Sequence, residues 1–150
     1  MSATGLSSEI KIKVFDGGKA PEYKHDDDAC ADCFARLAGS EITIPKGGRC
    51  LVALGFAIEL PRGWEAVIRP RSGLSKRGID NTIGTIDAGY RGEVMACVVN
   101  NSGGDYTIYN HDRICQLKIQ EARQFKFVSV EELSETVRGE NGWGSTGMKG

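Results

Sequence analysis

Apolar and polar residues alternate along this chain in short runs, and turn residues separate the runs. Ile10, Ile12 and Val14 alternate with Lys11 and Lys13, a period of two that predicts a half-buried strand. Ile42 and Ile44 repeat the pattern ahead of the turn Pro45-Lys46-Gly47-Gly48. Residues 50–60 form a longer β-like run that stops at Pro61-Arg62-Gly63, and 64–69 returns as another strand. Further strands are expected at 82–86, 92–100, 106–109, 113–119 and 125–130, with turn signals such as Asn101-Ser102-Gly103-Gly104 between them. No segment sustains a long 3.6-residue period. Ser129 with Glu132 resembles a capping box and predicts one brief helical turn at 131–135. Short strands at this spacing indicate an all-β sandwich, barrel or jelly roll.

Composition sharpens that expectation. Twenty glycines and four prolines in 150 residues suit many tight turns better than long helices, and the length suits one domain. A formal net charge of -1 leaves no global footprint for nucleic acid or an anionic membrane, so neither is expected as a partner. No apolar run approaches the ~18 residues of a membrane span. The opening MSATGLSSEIKIKV lacks the basic-then-apolar order of a signal peptide, so a cytoplasmic location is expected.

The five cysteines, Cys30, Cys33, Cys50, Cys97 and Cys115, are odd in number and are expected to be reduced. Cys30 and Cys33 are spaced C-x-x-C, but no second ligand pair accompanies them, which argues against zinc. Asp26, Asp27 and Asp28 read as a solvated turn.

Three segments carry candidate chemistry. Pro70-Arg71-Ser72-Gly73-Leu74 follows a strand and offers a guanidinium fork, a hydroxyl and a closely approachable backbone, all suited to phosphate. In the run from Asn81 to Glu93, NTIGTIDAGYRGE, Asp87 follows two apolar β residues and could take a proton from water. Asn81 offers the donor and acceptor that a pyrimidine edge requires. The stretch 138–147, RGENGWGSTG, matches G-x-G-x-x-G at 142–147. With three residues left no helix can follow, so a dinucleotide fingerprint is excluded. What remains is a loop able to wrap an anion.

Together these segments resemble the homotrimeric dUTPase family, whose five motifs appear in order: DACADCFA (28–35), PRSGLS (70–75), NTIGTIDAGYRGE (81–93), DRICQL (112–117) and RGENGWGSTG (138–147). Cys30 stands where the family usually has glycine, Cys33 where it has leucine, Asn141 where glycine is common and Trp143 where phenylalanine is. The resemblance implies a jelly-roll-like β domain over 1–137 and a flexible tail over 138–150 that closes on the active site. It implies a homotrimer with three shared sites, motifs one, two and four coming from one chain, motif three from a second and motif five from a third. The implied reaction is hydrolysis of dUTP to dUMP and pyrophosphate, which keeps uracil out of DNA and supplies dUMP for dTMP synthesis. Asp87 would activate the water. Asn81, Gly84 and neighbouring backbone would read uracil, and Tyr90 would exclude a 2′-hydroxyl. Arg71, Ser72, Gly73 and Gln116 would hold the phosphates. Arg138, Gly144, Ser145 and Thr146 would close over them, with Trp143 stacked on the base. Mg²⁺ would be the cofactor, with Asp32 reaching it through water. A dCTP deaminase shares this fold, but the fifth motif and the Ile86-Asp87-x-x-Tyr90 spacing argue against one. Retention of the motif polar groups argues against a non-catalytic binding protein.

Overall fold

The computed structural model describes residues 9–149. Residues 1–8, on which the reading of the leader partly rests, and Gly150 lie outside the described residues. Eleven strands and one short helix follow in chain order. They are β1 (Lys11–Val14), β2 (Ala31–Phe34), β3 (Glu41–Ile44), β4 (Arg49–Ala53), β5 (Phe56–Glu59), β6 (Trp64–Arg69), α1 (Ser72–Ser75), β7 (Ile79–Asn81), β8 (Gly84–Ile86), β9 (Met95–Asn100), β10 (Tyr106–Tyr109) and β11 (Arg113–Glu121). Four antiparallel sheets result, ordered β1-β5, β10-β3, β2-β11-β6-β8 and β4-β9-β7.

One buried cluster draws on every sheet: Phe56, Ile44, Ile108, Val52, Val98, Ile68 and Leu117 all belong to it. Each such side chain contributes about 1.5–3 kcal/mol when fully removed from water. In β3 and β4 the buried residues alternate with more exposed neighbours, the period of two that the sequence displays at 42–44, whereas β5 and β6 bury three consecutive residues. The longest strand, β11, pairs with β2 on one side and β6 on the other. This places Gln116 level with Asp32 and with Arg69.

Several expectations need correction. β1 forms, but all four of its residues are exposed, Ile12 at 41% and Val14 at 44%; in the single chain nothing covers the face that their alternation presents. The run 50–60 is two strands in different sheets, broken where Gly55 takes φ +81. The expected strand at 82–86 is the shorter β8, and β7 precedes it unannounced. The stretch 125–130 is not a strand. Phe125, Phe127, Val128 and Val130 are exposed, because a strand needs a neighbouring edge and this chain offers them none. No helical turn forms at 131–135; a single turn with no apolar face to pack does not recover its nucleation cost. Among the described residues the one helix is α1, inside the second motif.

Candidate active site

Two groups of polar side chains form on the described chain. The first gathers around Asp32 on β2. Its Oδ1 accepts from Arg71 Nε at 3.1 Å, and its Oδ2 lies 3.4 Å from Arg113 Nε. Arg71 also donates through Nη1 to the Arg113 carbonyl at 3.0 Å. Gln116 Nε2 donates to the Pro70 carbonyl at 2.9 Å, which fixes the end of β6 against β11. Arg71 itself keeps extended backbone as the residue before α1, so Ser72 and Gly73 open the helix beside it. The guanidinium is thus held by a carboxylate and a carbonyl while Ser72 and Gly73 remain exposed. Sequence reasoning missed Arg113; its position three residues before Gln116, within DRICQL, was the available signal.

The second group lies on the segment 81–93. Asn81, on β7, is buried. Its Nδ2 donates to the Thr82 carbonyl at 3.0 Å, and its Oδ1 has no hydrogen-bond partner among the described residues. The Thr82 carbonyl can only accept, so this bond fixes which end of the amide stays open. An unfilled buried acceptor costs about 1–3 kcal/mol, and such exceptions call for a reason. Gly84, Ile86, Asp87 and Tyr90 line a cavity of about 210 Å³ together with Ile68, Thr85, Val94 and Met95. The Asp87 carboxylate is exposed, and the Tyr90 backbone N–H donates to the Asp87 carbonyl at 3.0 Å, closing the turn.

These groups are far apart on one chain. Ala66 pairs with Ile86, so Asp87 comes level with Glu65 at the start of β6. Arg71 lies beyond the other end of that strand. Six residues of extended backbone separate Glu65 from Arg71, about 20 Å at ~3.3 Å per residue. The tail joins neither group. Arg138 donates to the Asn141 carbonyl at 2.8 Å, the Ser145 and Gly147 amides bond within the tail, and Trp143 is fully exposed. Gly144 takes φ +87, and Thr146 is exposed.

A family model described as dUTPase matches residues 17–147. The chain belongs to the dUTPase family. It is 43% identical over 144 residues to the deoxyuridine 5'-triphosphate nucleotidohydrolase of Alkaliphilus metalliredigens, covering 93% of this chain and 98% of that one. The Treponema denticola protein of the same name is 44% identical over 143 residues, with 93% and 99% covered. Among solved structures, a mutant dUTPase of Staphylococcus bacteriophage 80alpha with dUpNHpp superposes at a TM-score of 0.87, with 24% identity, 95% of this chain and 100% of that chain covered. The phage phi11 dUTPase, described with a structural Mg(II) ion, gives a TM-score of 0.78 at 21% identity, with 85% and 100% covered. These likenesses place the four sheets in the jelly-roll-like fold of the dUTPases.

The remaining candidates of this dUTPase-family chain are plain. All five cysteines are free. Cys33 pairs with Cys115 across β2 and β11, both fully buried. A hydrogen bond to Cys115, then burial, pushes the Cys33 thiol well above its ordinary value, which makes it inert. Among the described residues no three His, Cys, Asp or Glu side chains converge as a metal site. Asp32, a single carboxylate between two guanidiniums, therefore cannot cage a divalent ion. It does fit magnesium, which takes one or two carboxylates and brings water and phosphate oxygens with it. Among the described residues no helix is long and apolar enough to cross a membrane.

Proposed function

We propose that the protein hydrolyses dUTP to dUMP and pyrophosphate in sites shared between the chains of a homotrimer. The observation that carries this reading is the buried Oδ1 of Asn81, open and oriented by the Thr82 carbonyl. An open acceptor calls for a ring N–H. Uracil has one at N3, whereas the N3 of cytosine is itself an acceptor. Neighbouring backbone and Gly84 complete the pocket, and a 5-methyl group would clash there, which excludes dTTP. Tyr90 packs against the deoxyribose and leaves no room for a 2′-hydroxyl.

Asp87 then takes the proton of the water that attacks the α-phosphorus. Arg71, Ser72, Gly73 and Gln116 hold the phosphate chain, and Arg138, Gly144, Ser145 and Thr146 close over it while Trp143 stacks on the base. Bound magnesium supplies charge neutralisation on the leaving pyrophosphate. Asp32 would hold it through its water shell. The backbone separation of about 20 Å between Arg71 and Asp87 along β6 favours a site assembled from two chains. In a threefold assembly the phosphate group of one chain would meet the 81–93 segment of the next. The exposed apolar side chains of β1 and of 125–137 supply surface for such contacts.

The test is pyrophosphate release from dUTP, UTP, dCTP and dTTP in parallel, with and without Mg²⁺. Release from dUTP alone, dependent on Mg²⁺, is expected; ammonia from dCTP, or no turnover of any of the four, overturns the reading. Sharing is tested by co-refolding two inactive variants, Asp87→Asn and Arg71→Ala. Random mixing should restore roughly a quarter of the sites, because each site draws the two residues from different chains. A mixture as inactive as its parents would rule out shared sites.

A further inference from the structure

The side chain of Tyr90 is held from behind. Its hydroxyl donates to the Glu93 carbonyl at 3.0 Å. The ring folds back so closely over Gly92 that a Cβ there would overlap the hydroxyl. The tyrosine therefore offers the cavity a ring, with its polar end already engaged. Where the ring sits depends on where Glu93 sits.

Glu93 is itself fastened at the base of the turn. Arg36 Nη1 donates to both of its carboxylate oxygens, at 3.0 and 3.2 Å. The Gly55 amide donates to Oε1 at 3.0 Å. Arg36 in turn donates through Nε to the Asp16 carbonyl at 2.8 Å, and its guanidinium lies 5.7 Å from the centre of the Phe15 ring. Gly55 can approach only because it lacks a side chain. Its φ is +81, and a Cβ would fall 2.6 Å from Gly18 Cα and 3.2 Å from Arg36 Cδ. The pair is half-buried, with side-chain exposures of 33% and 22%, so water competes with it only partly.

We infer that Arg36 and Glu93 are positioning residues for sugar discrimination: they set the depth of the Tyr90 ring over the cavity and thereby the rejection of a 2′-hydroxyl. The inference rests on the proposed dUTP hydrolysis and on the place given there to Tyr90. Neither residue touches the nucleotide. Both act through the main chain of Glu93, the acceptor of the tyrosine hydroxyl. A ring released from that acceptor swings, and the contact that excludes the hydroxyl opens. A steric filter is sensitive to displacements of about 1 Å, so a distant anchor controls it.

The test measures kcat/KM for dUTP and UTP in wild type, Glu93→Ala, Glu93→Gln and Arg36→Lys, each also combined with Tyr90→Ala. Loss of one anchoring hydrogen-bond set should lower the dUTP/UTP ratio about tenfold in Glu93→Ala and about threefold in Arg36→Lys, which keeps the charge but loses the fork. Glu93→Gln, which keeps the acceptor for Gly55, should fall between them. With Tyr90→Ala the same changes should leave the ratio within about twofold, because coupled residues are non-additive. A merely structural role lowers both substrates equally and leaves the ratio untouched; that result, or a ratio that still falls without Tyr90, overturns the inference. Should Glu93→Ala fail to fold, Glu93→Gln and Arg36→Lys decide the matter alone. If wild type releases no pyrophosphate from dUTP, or Tyr90→Ala alone leaves the ratio unchanged, the underlying reading has failed and the inference falls with it.

Discussion

The turn at 100–104 and the segment at 81–93 each bury an asparagine, and they treat it differently. Asn100 donates from Nδ2 to the Ile44 and Gly104 carbonyls, at 2.9 and 2.8 Å, and its Oδ1 accepts from the Ser102 amide and hydroxyl. Every valence is filled by the chain itself, so the side chain acts as a rivet between β3 and the turn. Asn81 fills one end of its amide and leaves the other open. In the first case the buried polar group serves the fold. In the second the fold buries an acceptor that has no partner among the described residues. The same residue type is thus saturated in one place and left with a spare acceptor in the other, where the proposed function puts the uracil.

The strongest challenge to the open region is Asp87→Asn. An amide keeps the shape but cannot take the water's proton, so turnover should fall by a factor of about 10³ with the melting temperature unchanged; more than a tenth of wild-type turnover would remove Asp87 as the base. Next comes deletion of everything after Val137. It should cost about a hundredfold in turnover, because the closing contacts are lost, and it should scarcely move the melting temperature, because the tail packs on nothing. In the intact chain Trp143 fluorescence should change on adding dUpNHpp with Mg²⁺; a signal that stays constant would refute closure.

The asparagines themselves give the sharpest contrast. Asn81→Ala should lower kcat/KM for dUTP about tenfold to a hundredfold at nearly full stability. Asn100→Ala should lose about 2–4 kcal/mol of stability by orphaning the Ile44 and Gly104 carbonyls, while whatever folds keeps its KM. Equal stability losses in urea titrations of the two would erase the distinction. The smallest effect concerns Cys33, a filled site like Asn100. Its raised thiol value favours the protonated form in the fold. That contribution is fully present below the unfolded thiol's value and is lost as the pH rises from there through the folded one. Wild type should therefore lose melting temperature more steeply than Cys33→Ala between about pH 8 and 10; parallel slopes would contradict it.

Much of this division was legible in the sequence. The alternation at 42–44 and the short β-like runs at 64–69 and 106–109 are local signals, and those strands form as expected. The motif order pointed to Asp32, Arg71, Gln116, Asn81, Asp87 and Tyr90 as candidates; the structure brings the first three together, and it leaves the other three on the separate segment 81–93. What failed was non-local. The break at Gly55 is imposed by Gly18 and Arg36, distant in sequence, so the run 50–60 reads as continuous. The apolar run at 125–130 reads as a strand because periodicity registers what a segment needs and not whether one chain can supply its neighbour. Arg113, Arg36 and Glu93 escaped notice as site residues because a charge shows its purpose only beside its partners.

β11 also has a kinetic consequence. Arg71 and Asp32 stand 39 residues apart in the chain, and Gln116 and Pro70 stand 46 apart. Both contacts exist only once the last strand has slotted between β2 and β6. A topology closed by such distant pairings folds on the slower end of the scale, about milliseconds to seconds. A nascent chain still lacking β11 therefore has the arginine and the carboxylate but no scaffold to hold them together. The group around Asp32 and Arg71 is complete only when the sheet is, so no partly made chain presents it finished.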